Sequence, residues 1–592
     1  MKADLTENAL KVLRARYLLR DAKGRVVETP EELFRRVARG VAAAETRFGG
    51  TEAAARWEAA FAEALAHLDF LPNSPTLMNA GTALGQLSAC FVLPVEDSIG
   101  GIFDSLKLMA LIQKTGGGTG FSFSHLRPEG DPIASTGGAA SGPVSFMHIF
   151  DCATENMWKG GKRHGANMGV LRVDHPDIEG FIDAKLDGRS FRNFNLSVGA
   201  TDAFMEAAGA SRPWTLRHPH TGEPVRTIPA AELMGRIARA AWRTGDPGMI
   251  FLDAINRTNP TPEVGLIEAT NPCGEVPLLA YEACNLGSIN LSRMLRQGPD
   301  SYSVDWEKLG RTARLAVRFL DDVIEVSRWP APEIESMAQA NRKVGLGVMG
   351  FAEMLILLGI PYNSPEAAAL AEELMRRLSE EARAASQQLA QERGVFPDWE
   401  KSVYARQGLR LRNATRTSIA PTGSISIIAG TSASIEPLFA LAYRREHVLG
   451  DQTLTELNPL LLRYAREHGF FSEDFVRELR AQGRLADLPG VPQDARELFR
   501  TALEIAPEDH LRIQAAFQKD TDNAVSKTIN LPEPTTVDEI EAIYRRAWEW
   551  GLKGITAFRY GSKGQQVLEL GIGEAPEQHE HFARCDPQAC KL

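Results

Sequence analysis

The chain has 592 residues and a formal net charge of −10, so no global basic field favours DNA or RNA, although local basic clusters can still hold phosphates. A hydrophobic share of 44% suits a globular protein, and a chain this long can bury a sizeable core. No apolar run reaches the roughly 18 residues of a membrane-spanning helix, and six cysteines are too few for a disulfide framework, which points to a reducing cytoplasm.

The N-terminal stretch MKADLTENALKVLRARYLLRD lacks an apolar signal core and reads as an amphipathic helix. Helical character continues through a first region, residues 1–75. Within it Thr29-Pro30-Glu31-Glu32 is a helix start, with Thr29 as cap, Pro30 in the first turn and Glu32 reaching back to the cap amide. A second region, residues 76–565, mixes helical segments with the β-like runs LSACFVLPV, CNLGSINL and TSIAPTGSISII, separated by glycine-rich turns. The run Ile102 to Ile112 has helical spacing. Residues 537–550 have helical periodicity and stop at Gly551, and Gly554 to Phe558 reads as a strand. Strands alternating with helices predict an α/β core. The polar, turn-rich residues 566–592 read as a mobile tail.

Cys273 stands in Asn271-Pro272-Cys273-Gly274-Glu275, a tight turn that offers an amide, a thiol and a carboxylate together. Taken alone, this turn reads equally well as a surface loop with one free cysteine. Cys284 follows eleven residues later at the edge of a β-like run, and Cys90 lies in another such run. The stretch Pro421-Thr422-Gly423-Ser424-Ile425-Ser426 could turn amides and hydroxyls toward an anion, or be an ordinary strand-to-helix turn. Lys159-Gly160-Gly161-Lys162-Arg163-His164 joins glycines to cations, as a phosphate loop or a solvated basic one. On the tail, Cys585 and Cys590 suit a thiol shuttle; with His579 and His581 nearby, zinc is the rival reading. Cys152 reads as a buried or idle thiol.

NPCGE followed by CNLGSINL, LSACFVLP, RKVGLGVMGFAE and TSIAPTGSIS before Glu436-Pro437 together resemble the ribonucleotide reductase catalytic family, from TENALKVLRARYLL to GITAFRYGSK. The resemblance implies a ten-stranded α/β barrel with a central finger loop, an N-terminal helical region and a flexible C-terminal tail. It implies Cys273 as the thiyl radical that takes the substrate's 3′ hydrogen, Glu275 as base for the 3′ hydroxyl, Asn271 as holder of the ribose hydroxyls, and Cys90 with Cys284 as the reducing pair. Pro421, Thr422, Gly423, Ser424 and Ile425 would bind the substrate's phosphates, with Ser74 adding a contact. Asp97, Lys114 and Arg127 match positions that bind a dNTP effector, and Lys159, Gly160, Gly161, Lys162, Arg163 and His164 match the specificity loop between the two sites. Cys585 and Cys590 would carry electrons from a thioredoxin-like reductant.

Branches of that family differ in how the radical arises. The adjacent tyrosine pair of the metal-subunit branch has no counterpart: GITAFRYGSK offers Phe558 and Tyr560 only. Nor does the sequence contain a glycyl-radical loop. The resemblance therefore implies adenosylcobalamin as cofactor, a homodimer, and ribonucleoside diphosphates as substrates. No extension precedes TENALKVL that would hold the family's ATP-sensing cone, so on/off control by that device is not expected. The metal-subunit type, and a thiol-regulated nucleotide-binding protein without turnover, stand as alternatives. No metal ligands, membrane or nucleic-acid contacts are expected.

Overall fold

The computed structural model describes residues 3–133, 137–158, 165–299, 301–445, 454–562 and 568–571. The loop Lys159–His164 and both tail cysteines, Cys585 and Cys590, lie outside the described residues.

The N-terminal region is helical. Thr6 caps the helix Glu7–Val12, which runs on as a π-helical turn, Leu13–Tyr17. The helix Pro30–Ala42 carries the expected capping box between Thr29 and Glu32 and buries Leu33, Phe34, Val37 and Val41 on one face. The longer helix Thr46–Ala66 is broken at Gly50, whose positive φ no helix accommodates.

The main sheet contains β1 (Phe70–Pro72), β2 (Cys90–Leu93), β3 (Gly118–Ser122), β4 (Asn167–Arg172), β5 (Phe194–Ala200), β6 (Gly248–Phe251), β7 (Ala283–Asn290), β8 (Val344–Met349), β9 (Thr528–Leu531) and β10 (Gly554–Arg559). Strands β2 to β6 form one parallel set. The second set is also parallel: β7 pairs with β8, β8 bridges to Thr417, Ile419 bridges to Val525 just before β9, and β9 pairs with β10. Antiparallel seams join the sets, β2 against β7 and β6 against β10. Followed in order, these pairings return to their start, so the sheet closes into a barrel. β1 extends the edge of β7 beyond β2. Buried Phe121, Phe123, Phe150, Phe194 and Phe204 belong to the apolar layer around the first set.

Between β6 and β7 a narrow hairpin, Ala269–Thr270 against Pro277–Leu278, runs into the barrel interior. Two glycines of β3 make room for it. A Cβ on Gly120 would lie 1.7 Å from the Thr270 carbonyl oxygen, and one on Gly118 would lie 2.7 Å from Pro272 Cγ. Only glycine lets the hairpin backbone approach this closely.

TSIAPTGSISII is not the continuous strand that its β-like pattern suggests. Thr417 and Ile419 make single bridges, Thr422 takes a left-handed φ of 52°, and Ile425–Ala429 is a short helix. The Pro-Thr-Gly turn ends the strand before the apolar ISII can extend it.

A second compact unit comprises residues 440–496 and the strand Leu568–Leu570. Its sheet sets Ala442–Arg445 between Leu454–Leu457 and Leu568–Leu570, both antiparallel. The expected domains keep 440–496 within the region 76–565 and begin a mobile tail at 566, whereas Leu568–Leu570 is paired as a strand. No helix among the described residues is long and apolar enough to cross a membrane.

Candidate active site

The hairpin tip carries Asn271, Pro272, Cys273, Gly274 and Glu275. Asn271 closes it from within: its backbone N–H donates to the Val276 carbonyl at 3.2 Å, and its side-chain Oδ1 accepts from Val276 N at 3.0 Å. Gly274, at φ 83°, makes the turn. Both halves of the barrel then hold the tip. Asn195 of β5 donates to the Pro272 carbonyl at 2.7 Å, while Ala524 N and Ser418 Oγ donate to the Glu275 carbonyl at 2.9 and 2.8 Å. At the hairpin's return, buried Glu282 accepts from Leu279 N at 2.7 Å, Asn341 Nδ2 at 2.6 Å and Lys343 Nζ at 2.6 Å. A tip tied at this many points holds its side chains in fixed positions.

Cys90 and Cys284 face each other directly across the β2–β7 seam. Directly opposed antiparallel residues have Cα atoms roughly 4.5–5.5 Å apart, within the range that a disulfide spans. Both thiols are buried and neither is disulfide-bonded. The Asn271 amide donates to Cys90 Sγ at 3.1 Å, linking this pair to the hairpin tip. Burial pushes the Cys284 thiol up; Lys343 opposes the shift, and the carboxylates of Glu275 and Glu282 add to it. Cys284 is therefore a neutral thiol at physiological pH, able to give a proton. Cys273, by contrast, is exposed.

One cavity collects most of the expected catalytic and substrate-binding residues. Asn271, Cys273, Glu275 and Cys90 line one part; Ser74, Pro421, Thr422, Gly423, Ser424 and Ile425 line another. Cys284 reaches this group through Cys90 rather than through the cavity wall. Among the described lining residues Glu275 is the only charged side chain, with no lysine, arginine or histidine. An anion here would rest on hydroxyls and backbone amides, as at the N-terminal side of a short helix. Thr422 is locked by accepting from Ser434 N at 2.7 Å. Sequence reasoning missed the wall of Gly116, Gly117, Gly118 and Ala166. The clustered glycines of TGGGTG at the head of a strand were the available signal.

The positions matched to an effector come together only in part. Arg127 donates to both carboxylate oxygens of Asp97, from Nε at 2.8 Å and from its backbone N at 3.2 Å. Asp97 sits just before the helix Ile99–Lys114, which Ser98 caps. Lys114 ends that helix, about 22 Å away along its axis at 1.5 Å per residue. Asp97 also borders a second cavity with His125, His220 and Glu268. There His125 Nε2 lies 2.7 Å from Glu268 Oε2, and this hydrogen bond raises the His125 pKa. Cys152 is exposed on the helix Gly142–Trp158, not buried. No cluster of three or more potential metal ligands occurs among the described residues.

Two family descriptions match nearly the whole chain: the ribonucleotide reductase all-alpha domain over residues 3–85 and the ribonucleotide reductase barrel domain over residues 88–558. The chain is 54% identical to the vitamin B12-dependent ribonucleoside-diphosphate reductase of Mycobacterium tuberculosis, over 99% of this chain and 82% of that one. It is 47% identical to the protein of the same name from Thermoplasma acidophilum, over 97% of this chain and 82% of that one. Among solved structures it resembles the class Id ribonucleotide reductase alpha subunit of Actinobacillus ureae, with a TM-score of 0.76, 25% identity and coverage of 94% and 97%. With its helical region, closed barrel and central hairpin, the chain belongs to the ribonucleotide reductase family.

Proposed function

We propose that this chain converts ribonucleoside diphosphates to 2′-deoxyribonucleoside diphosphates for DNA precursor synthesis, working from a thiyl radical on Cys273 with adenosylcobalamin as cofactor. The observation that carries this reading is the single cavity in which Cys273, Glu275, Asn271 and Cys90 share walls with the hydroxyl-rich turn Pro421–Ile425. The names of the two relatives above supply the substrate level and the cofactor class.

The residues then divide the work. Cys273 Sγ takes the 3′ hydrogen and returns it at the end of the cycle. Glu275 accepts the 3′ hydroxyl proton, and Asn271 orients the ribose hydroxyls. One thiol of the Cys90–Cys284 pair gives its proton to the departing 2′ hydroxyl, which leaves as water. The pair supplies two electrons and ends as a disulfide. The barrel wall keeps bulk water from the radical intermediates.

Adenosylcobalamin, when bound, supplies a carbon-centred radical by homolysis of its cobalt–carbon bond. The cavity suits such a group: Cys273 is exposed, and small residues stand on the same wall. Gly116, Gly117, Gly118 and Ala166 would form the flat surface against which it lies.

Regulation and assembly belong to the same proposal. Ile99, Phe103 and Leu111 are exposed on the helix Ile99–Lys114, and Ile149 is exposed on its neighbour Gly142–Trp158. This apolar face supports a two-fold homodimer, which would bring Lys114 of one copy toward Asp97 and Arg127 of the other and frame a dNTP effector between them. The loop Lys159–His164 would relay that effector to the substrate. Cys585 and Cys590 would reduce the Cys90–Cys284 disulfide and be reduced in turn by a thioredoxin-like protein. The setting is the cytoplasm, where free thiols persist.

The test is product formation by the purified chain alone. With CDP, a dNTP and a dithiol it makes dCDP once adenosylcobalamin is added, and none with methylcobalamin. If product appears only when a metal-radical subunit is added, the cofactor assignment is wrong.

A further inference from the structure

Ser74, matched by the family resemblance to a phosphate contact, lines the cavity, while the proposed mechanism uses nothing from the helical region before it. Ser74 opens the short helix Ser74–Asn79, and its hydroxyl lies 2.7 Å from the phenol oxygen of Tyr17, fifty-seven residues earlier. Tyr17 is 1% exposed and Ser74 9%, so water does not compete for this bond. Arg36 holds the other end of the same helix, donating to the Ala80 carbonyl at 2.6 Å while Glu28 fixes its guanidinium at 2.7 Å. The helix Glu7–Val12 lies against Ile425–Ala429, close enough that a Cβ on Gly430 would sit 3.3 Å from Thr6 Cγ2. The region from Thr6 to Arg36 thus braces both arms of the wall assigned to phosphate.

The geometry points to Tyr17 as a positioning residue for the substrate's phosphates, acting through Ser74; this rests on the reading of Ser74 as a phosphate contact. A phenol is the more acidic of two hydroxyls, so Tyr17 donates and Ser74 Oγ accepts. The serine's own hydrogen is then left to donate into the cavity. Two O–H groups in series polarise each other, which strengthens the terminal donor. The effect matters more here because no lysine, arginine or histidine is among the described residues lining the cavity. The helical region is on this account part of the substrate site as well as a support for the barrel.

A double-mutant cycle tests it. Tyr17→Phe keeps the ring and removes one oxygen. It raises KM for the ribonucleoside diphosphate roughly 3- to 10-fold, the worth of one hydrogen bond, with kcat at saturation changed less than about 2-fold. Ser74→Ala raises KM at least as much. The double variant matches Ser74→Ala alone, because Tyr17 has nothing left to act through. Should Tyr17→Phe be too unstable to assay, inorganic pyrophosphate is titrated into each protein and the rise in its own melting temperature is read, which is smaller in Tyr17→Phe than in wild type. Additive effects, or Ser74→Ala raising KM while Tyr17→Phe leaves both KM and the pyrophosphate response at wild-type values, overturn the role of Tyr17. An unchanged KM in Ser74→Ala removes instead the phosphate reading on which that role rests.

Discussion

Two buried polar regions of this barrel protein are built on opposite plans. The substrate cavity is lined by thiols, hydroxyls, amides and glycines, with Glu275 as its single charge among the described residues. Behind the second strand set lies a dense ionic cluster. Asp321 and Asp322 of the helix Trp306–Val326 meet Arg393 at 3.0 and 2.7 Å; Arg342 meets Asp321 at 2.8 Å; Arg393 and Arg318 share Glu45 of the N-terminal region at 2.6 and 3.0 Å. Burial alone would raise the Asp321 carboxyl, but Arg342, Arg412 and Arg393 overcome it and hold the pKa at about 2. Its neighbour Asp322 goes the other way, raised by burial, with Arg393 opposing and Glu45 and Asp321 adding to the rise. The difference teaches where fixed charge is useful in this fold. In the cluster, opposite charges lock three helical segments and two strand approaches in one register. In the cavity, where the proposed mechanism moves protons and a radical, Glu275 is the one charge among the described lining residues and neutral donors would do the binding.

The sharpest way to break this comparison is at the thiols. Cys90→Ser or Cys284→Ser retains a small polar side chain but removes half of the reducing pair. Turnover with a thioredoxin-type reductant falls by more than roughly 10⁴-fold, beyond the roughly 10²–10⁴ range of a lost proton donor alone, because electron supply stops too. Measured deoxynucleotide formation near the wild-type rate in either variant would remove the pair from the mechanism.

The next effect concerns the cluster. Asp321→Asn leaves Arg342, Arg393 and Arg412 without their shared carboxylate and lowers stability by about 3–5 kcal/mol, read from denaturant melts. The pH dependence has a definite sign. The folded pKa of Asp321, about 2, lies below its unfolded value, so its contribution is complete above the ordinary carboxylate range and is lost as pH falls from about 4 toward 2. Wild type therefore loses more stability than Asp321→Asn over that interval. Parallel acid melts would show instead that the cluster is not held by this charge.

The smallest effect is regulatory. Asp97→Ala removes the two hydrogen bonds that Arg127 makes to Asp97 and weakens the effector's influence by about 1–3 kcal/mol, without removing catalysis. The readout is the ratio of CDP to GDP reduction with and without a dNTP. A full effector response in Asp97→Ala moves the effector site elsewhere.

Much of this architecture was legible in the sequence because local chemistry announced it. Thr29-Pro30-Glu31-Glu32 wrote its own capping box, and Gly551 ended the last long helix where its positive φ is needed. The facing of Cys90 and Cys284 followed from the family resemblance, since nothing in their spacing fixes a seam between residues so far apart. The ionic cluster was not legible: Glu45, Asp321, Arg342, Arg393 and Arg412 come from distant segments, and each looks like an ordinary surface charge by itself. Ser74 was named from the resemblance, but its bond to Tyr17 was hidden because the two residues stand fifty-seven positions apart. ISII, after Pro421-Thr422-Gly423-Ser424, misled because a short run with three isoleucines fits a strand or a buried helical turn equally well.

The most direct test of the central claim is single-turnover reduction of CDP by Cys273→Ser beside wild type, each fully loaded with adenosylcobalamin, effector and dithiol. Serine is nearly isosteric, so substrate still binds, while its O–H bond is too strong to pass a hydrogen atom. The account predicts normal CDP binding and no dCDP from Cys273→Ser. A measurable yield of dCDP from that protein, verified to contain serine at 273, would contradict it.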